Sequence, residues 1–508
     1  MAIIHLDGEQ REIPEGTRLS SLVPDHPVGC VIGIIRPATQ EQSQTDNIAI
    51  DTTAGEVTIE AAGEGAAFLT GVAPEKLVLH WGDRYAAAFG PFSASFQPAR
   101  KPHLYERGDV ILGCGGYDPS RSYLIFSRSR HSADHGAAEG GGIIGRVISG
   151  RAIIDRWTTG DAATKITPVV SWADTSRSFT TTDRELVLED GMQIVTHMAI
   201  VAQGFTPEKI NPAAAGSVEH LLLALQRGTF VIGRATSTHI LDSRSSGIEN
   251  IPHDSRGPRR EGTVTVRTEG KTAGGVYIYR ADIPSSLVHS VVGQVVRGIA
   301  LARIAKEGDE IAVRLEPRRI DLLGLPLARA QEIAQKHGVN LVFDKEGSDR
   351  IVVSQEPGTT LDVLAEKNVT VTTAPLDKVI DIELDETHAP ASCEVFRRFT
   401  GLKEHDAGMM PVFFKFDDVV LFKPEIAPGT KITPENIPIE ESPAAALGIT
   451  NDSRKGAGLV GVRLSKNTEF GPTSEPFEGT NLIGRVIDTE KLKKLREKET
   501  VYIREVRK

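Results

Sequence analysis

The sequence predicts a mainly β (α+β) chain of about five small domains, and three observations carry that expectation. Its 508 residues are several times the usual domain size. Glycine (49) and proline (28) are both used above average, which favours turns and short strands over long helices. One phrase occurs three times, as Ile144-Gly145-Arg146-Val147-Ile148, Val292-Gly293-Gln294-Val295-Val296 and Ile483-Gly484-Arg485-Val486-Ile487.

At the N-terminus, Asp7-Gly8 reads as a hairpin turn between a short apolar strand and a strand at residues 10–13. Thr17 is placed to cap a helix with apolar positions Leu19, Leu22 and Val23, and residues 28–35 read as a further buried strand. A β-rich run precedes each repeated phrase: residues 123–127 (YLIFS), 276–280 (VYIYR) and 459–464 (LVGVRL). The later copies open on a strand (198–201, 379–384) followed by a helix, with Ser217 and Ser392 as the expected caps. The phrase glycines lie 293 − 145 = 148 and 484 − 293 = 191 residues apart, which locates an insertion before the third copy. Residues 320–375 supply it: a helix over 327–336 stopped by Gly338, then two strands separated by residues 354–359, the last over 369–373.

Bulk properties narrow the function. A net charge of −10 argues against nucleic acid or an anionic membrane as partner, because phosphate neutralisation needs a basic face. Arg256, Arg259 and Arg260 sit in a Gly/Pro stretch and read as a solvated loop. Cys30, Cys114 and Cys393 are few and outside any CxxC pattern, which reads as reduced thiols in a cytosol. The N-terminal MAIIHLDGEQ is too short and polar for a signal peptide, and no stretch approaches about 18 apolar residues. The expected localisation is cytoplasmic.

The N-terminal hairpin, helix and strand resemble the β-grasp (ubiquitin-like, TGS) fold. The phrase after a YLIFS-type strand resembles the closing portion of cyclophilins. The VIDIEL…HAP opening of the third copy is similar to the cyclophilin start, and Trp81-Gly82-Asp83-Arg84-Tyr85 with Arg107-Gly108-Asp109-Val110-Ile111 resembles small prokaryotic cyclophilin-like barrels. The insertion, with Ser354-Gln355-Glu356-Pro357-Gly358, is similar to a PASTA module. The expected domains are a β-grasp domain at 1–50, cyclophilin-like β-barrel domains at 51–180, 181–319 and 377–508, and a PASTA-like module at 320–376. The layout as a whole resembles the methanogenesis marker protein 3 family of methane-metabolising archaea. That resemblance implies an accessory role around methyl-coenzyme M reductase, in its assembly or activation, with protein partners; it is not read from composition or spacing.

A prolyl isomerase lowers a barrier of about 18–20 kcal/mol, and cyclophilins do so with an arginine. In the third copy the corresponding stretch is Pro411-Val412-Phe413-Phe414-Lys415-Phe416-Asp417-Asp418, where Lys415 offers only a point charge in place of a guanidinium fork. Arg84 reads as a surface or ion-paired arginine. His131, Asp134 and His135 form an HxxDH cluster in a Gly/Ser/Ala-rich loop without a placed third ligand. Gly113-Cys114-Gly115-Gly116 and Gly140-Gly141-Gly142 lack the Gly-Lys-Ser/Thr of a phosphate loop and read as turns. Cys114 reads as a small buried residue, since an iron–sulfur cluster takes about four ligands, and His220 reads as part of a core helix. No catalytic, cofactor-binding or metal-ligating residue is assigned and no cofactor is expected. The leading expectation is a non-catalytic scaffold, and the alternative is a prolyl isomerase acting on a client protein.

Overall fold

The computed structural model describes residues 1–36, 47–168, 178–247, 251–427, 429–453 and 456–506. The chain is mainly β and divides into two compact units, Met1–Arg319 and Ile320–Lys508.

The repeated phrase marks one place in three related sheets. In the first unit, repeat 1 runs edge to edge as Ala163–Pro168, Asn47–Thr52, Gly55–Ala61, Ile143–Ser149, Asp109–Cys114, Ser122–Ser127, Ala86–Phe92 and Leu79–Gly82. Repeat 2 runs as Glu310–Glu316, Met198–Ala202, His289–Arg297, Thr263–Arg267, Val276–Tyr279, His239–Asp242 and Arg234–Ala235. In the second unit, repeat 3 runs as Thr500–Glu505, Val379–Leu384, Thr480–Val486, Ala446–Thr450, Val460–Arg463, Val419–Phe422 and Gly408–Lys415. Each phrase strand lies between the strand that serves as the repeat's opening strand (Gly55–Ala61, Met198–Ala202 or Val379–Leu384) and an inner strand (Asp109–Cys114, Thr263–Arg267 or Ala446–Thr450).

One segment after the helix bridges the two edges of each sheet. Gly408–Lys415 pairs with both Val419–Phe422 and Thr500–Glu505, which closes the third barrel. In repeat 2, Thr229–Val231 pairs with Glu310–Glu316, and Arg234–Ala235 pairs with His239–Asp242. In repeat 1, Leu79 N donates to Asp161 O at 2.7 Å, and Trp81 opposes Ala88.

The phrase glycine has a packing reason. In all three repeats the ladder to the inner strand slips one residue just before it, so Ile144, Val292 and Ile483 bulge. The slip presses the glycine onto the opening strand. A Cβ there would meet the carbonyl oxygens of Glu60, Val201 and Glu383 at 2.8, 2.9 and 2.1 Å. Within repeat 1 the core adds Phe89, Phe126 and Trp157, whose rings meet edge to face at 4.7–5.7 Å.

Several expectations are corrected. The N-terminal module is not contiguous. Ala2–Leu6 pairs in parallel with Gln193–Val195, and Cys30–Ile35 pairs with both Gln193–Val195 and Phe179–Thr181. Its core joins Ile4, Leu19, Ile32 and Ile34 to Met192 and Ile194. The expected boundary at 50/51 therefore cuts the strand Asn47–Thr52 of repeat 1, and the one at 180/181 cuts Phe179–Thr181. Residues 37–46, within the expected first domain, lie outside the described residues.

Neither serine nor Thr17 is a cap. Thr17 Oγ1 donates to Pro14 O at 2.6 Å, and Arg18 holds the cap position of helix Leu19–Leu22. Helix Ala215–Ala224 and helix Pro390–Thr400 start two residues ahead of Ser217 and Ser392. Carboxylates from distant loops serve their first turns instead: Ser217 N donates to Asp254 Oδ2 at 3.1 Å, and Ser392 N to Glu435 Oε2 at 2.9 Å. In the inserted module, helix Leu327–Lys336 falls where expected. A second helix, Thr360–Glu366, capped by Thr359, lies between Arg350–Glu356 and Asn368–Pro375. The strand Asn340–Phe343 pairs in parallel with Asn368–Pro375.

Candidate functional site

The bridging segment of repeat 3 carries the stretch singled out for isomerase chemistry, and the structure gives its lysine another task. Lys415 Nζ donates to the carbonyls of Lys493 at 2.5 Å and Leu495 at 3.2 Å, at the end of helix Glu490–Lys493. Arginines do this work in the other repeats. Arg128 Nε and Nη2 donate to Ile154 O and Trp157 O, both at 2.8 Å, closing helix Arg151–Arg156. Arg280 Nε and Nη2 donate to Ala302 O at 2.5 Å and Ala305 O at 2.6 Å, closing helix Ile299–Ile304. A cation at a helix C-terminus satisfies orphan carbonyls and meets the negative end of the dipole. Lys415 is thus a structural cap.

Met410 and Val412 of that segment are buried in the barrel core, while its outward residues are apolar and open. Phe413 is 50% exposed, Phe416 52% and Met409 55%, and Phe414 is exposed beside Phe416 with ring centres 4.5 Å apart. The neighbouring outer face of the same barrel is closed by its own chain. Gly461 and Gly448 carry residues 472–473 and 480–481 within van der Waals reach of their missing side chains. The arginine of this face, Arg463, is buried, with Nη1 on Asp418 Oδ2 at 3.0 Å and Nε on Gly471 O at 3.3 Å.

In repeat 1, Arg84 is exposed, lies 4.5 Å over its neighbour Tyr85 and donates to the Tyr85 hydroxyl. The HxxDH cluster is more ordered than a solvated loop. His131 and His135 turn their Nε2 atoms to within 3.1 Å of each other, while Asp134 turns away to accept from Tyr117 Oη at 2.7 Å and Gly136 N at 3.0 Å. The pair lines an outer-face cavity with Trp81, Asp83 and Tyr85. Burial, then the neighbouring His131, pushes His135 down to about 4.

Repeat 2 has a ring cluster that sequence reasoning missed. His289 meets Tyr277 edge to face at 4.8 Å, His239 lies 5.2 Å from Tyr277, and Arg259 sits 5.2 Å over Tyr279 while donating to its hydroxyl at 3.0 Å. The available signal was the alternation of Tyr277 and Tyr279 on one strand face. The solvated-loop expectation for the basic stretch holds for the exposed Arg256 but fails for Arg259, and for Arg260, which pairs with Asp155.

The remaining candidates are structural. The Cys114 thiol is buried, donates to Gly136 O at 3.1 Å and is raised by burial. Burial likewise raises Cys30, and it pushes Cys393 up to about 12. Gly140, Gly141 and Gly142 form a left-handed turn into the strand Ile143–Ser149, and Gly113 ends a strand at Cys114. His220 is buried on its helix, within 2.7 Å of Gly274 O. No helix among the described residues is long and apolar enough to cross a membrane.

Residues 380–506, the third barrel, match a family model described as "Putative peptidyl-prolyl cis-trans isomerase domain". Over 99% of its length the chain is 36% identical to a UPF0288 protein of Methanosarcina barkeri, covering 98% of that protein. It is 32% identical to one of Methanothermobacter thermautotrophicus and 33% identical to one of Methanopyrus kandleri, covering 97% and 99% of them and 99% of this chain in each case. Among solved structures, cyclophilin AquaCyp293 from Hirschia baltica aligns with 34% of this chain and 88% of its own length, at 12% identity and a TM-score of 0.20.

Proposed function

This chain belongs to the UPF0288 family, and from that premise we propose that it is a non-catalytic accessory protein whose third barrel docks a protein partner through the bridging segment 408–416. One observation carries the reading. Where an isomerase needs a cation aimed at substrate, Lys415 is spent on the carbonyls of Lys493 and Leu495, while Phe413, Phe414 and Phe416 stand exposed around it. Clustered exposed aromatics are the composition of a protein-binding patch. Relatives come from methanogens. With the resemblance to the methanogenesis marker protein 3 family, this supports methyl-coenzyme M reductase and its activation factors as partners in the cytoplasm, with no role for nucleic acid or membrane.

The test is affinity capture from methanogen extract with the full chain. The reductase or its activation factors should co-purify, and the Phe413→Glu/Phe416→Glu variant should lose them while unfolding at the same temperature. Capture that never includes them, or that ignores the double substitution, sinks the proposal.

A second reading, prolyl isomerisation, draws on the family model over residues 380–506. A proline-peptide assay on the full chain separates the two. The docking reading expects no acceleration over the uncatalysed rate. Acceleration abolished by Phe413→Glu favours the enzyme.

A further inference from the structure

We propose that His131 and His135 form a two-imidazole site for a divalent transition ion of the Zn²⁺ type on the outer face of repeat 1. The geometry is the first argument. Imidazole nitrogens bind such ions at about 2.0–2.1 Å, which places two adjacent ligands about 2.9–3.4 Å apart in square or tetrahedral arrangements. The Nε2 atoms are 3.1 Å apart and face each other.

The tautomer is the second argument. His131 Nδ1 lies 2.8 Å from Ser129 O, an acceptor only, so Nδ1 carries the proton and Nε2 presents its lone pair. A carbonyl on the far nitrogen is the usual outer partner of a metal-binding histidine.

The pair is also held in place from its backbone outward. His131 pairs with Tyr105 in the small ladder of His103–Tyr105 and His131–Ala133. His135 O accepts from Cys114 N at 3.0 Å, an approach only a glycine at 113 allows, since a Cβ there would lie 2.5 Å from that oxygen. Tyr105 packs on both imidazoles at 5.6 and 5.2 Å, and Trp81 and Tyr85 complete the wall. Asp134 is not a ligand, because Tyr117 and Gly136 hold its carboxylate. Among the described residues no third histidine, cysteine or carboxylate completes the set, so the remaining coordination positions are open to an outside donor.

The competing arrangement is a plain hydrogen bond from His135 Nε2–H to His131 Nε2. Calorimetric titration of the full chain with Zn²⁺ decides between them. One ion per chain is expected, with affinity reduced at least about tenfold by His131→Ala and by His135→Ala and unchanged by Asp134→Asn. Affinity indifferent to both histidine variants, or none below millimolar Zn²⁺, overturns the site. Should a variant fold poorly, the imidazole ¹⁵N spectrum of the unaltered chain serves: Zn²⁺ should shift both Nε2 resonances, and two unmoved resonances mean the hydrogen bond alone.

Discussion

Arg107 donates to Asp155 at 3.2 Å, and in the second repeat the same two positions hold Glu261 and Arg303, 2.6 Å apart with the charges exchanged. The equivalence is positional. Arg107 and Glu261 each precede the glycine before the inner strand, and Asp155 and Arg303 each stand five residues after the left-handed glycine, Gly150 or Gly298, that opens the short helix. The first repeat's pair also reaches the second repeat: Asp155 takes Arg260, and Asp282 takes Arg107 at 3.5 Å and Arg151 at 3.8 Å.

Asp155→Ala should leave Arg107 and Arg260 facing each other. Burial, then Arg107, already pushes Arg260 down to about 10. Both partners are partly solvated, so the expected loss is about 1–2 kcal/mol, below that of a fully buried pair. Chemical denaturation of the full chain measures it, and adding Arg107→Ala should restore part of the loss. No change in the unfolding midpoint would show that the network contributes nothing.

Arg280→Ala should cost about 2–3 kcal/mol, because it strips charged donors from Thr236 O, Ala302 O and Ala305 O at once. Arg280→Lys should recover less than half, since one ammonium cannot span the planar fork's three targets. A thermal melt in which Lys and Ala behave alike would contradict the capping role.

Gly484→Ala should destabilise the second unit by about 3 kcal/mol or more. Its φ is +152°, and a Cβ would stand 2.1 Å from Glu383 O. Gly358→Ala, with nothing within 4 Å of the added carbon, is the control and should stay within about 1 kcal/mol of the unaltered chain. Equal effects would remove the packing account of the phrase glycine.

Acid should weaken repeat 2 through His289. Burial, then Arg259, Arg267, His239 and His253, pushes it down from 6.5 to about 3. Between those values the unfolded chain holds more protons than the folded one, so stability falls as pH falls. By pH 5 the loss relative to pH 8 is about 2 kcal/mol. His289→Asn, which keeps a side-chain partner for Thr265 Oγ1 at 2.9 Å in the native chain, should flatten that slope. An unchanged slope in urea midpoints between pH 8 and pH 5 would assign the effect elsewhere.

Much of the local structure was legible. The strand Val379–Leu384 and helix Leu327–Lys336 follow from apolar spacing and turn residues, which act over a few neighbours. Helix Thr360–Glu366 was not seen, because Gln355-Glu356-Pro357-Gly358 reads as a turn between strands and hides the cap at Thr359. Lys415 and Arg84 were legible as cations but not as to what they touch. The imidazole pair was visible as HxxDH, yet its partner choice, His135 and not Asp134, depends on where Gly113 lets the backbone lie.

The sequence by itself determined that one strand-rich phrase recurs three times with a glycine at the same place in each, because strand patterns and turn residues are written in neighbouring residues; why that place needs a glycine was decided by the bulge against a distant strand. Only the tertiary structure decided that Gln193–Val195 completes the N-terminal sheet, that Asp254 and Glu435 serve helices about 40 residues away, and that repeats 1 and 2 meet through Asp155 with Arg260 and Asp282 with Arg107 and Arg151. Those choices rest on pairings between distant segments, and the entropy of closing a loop grows so slowly with its length that chain separation gives little guide to them.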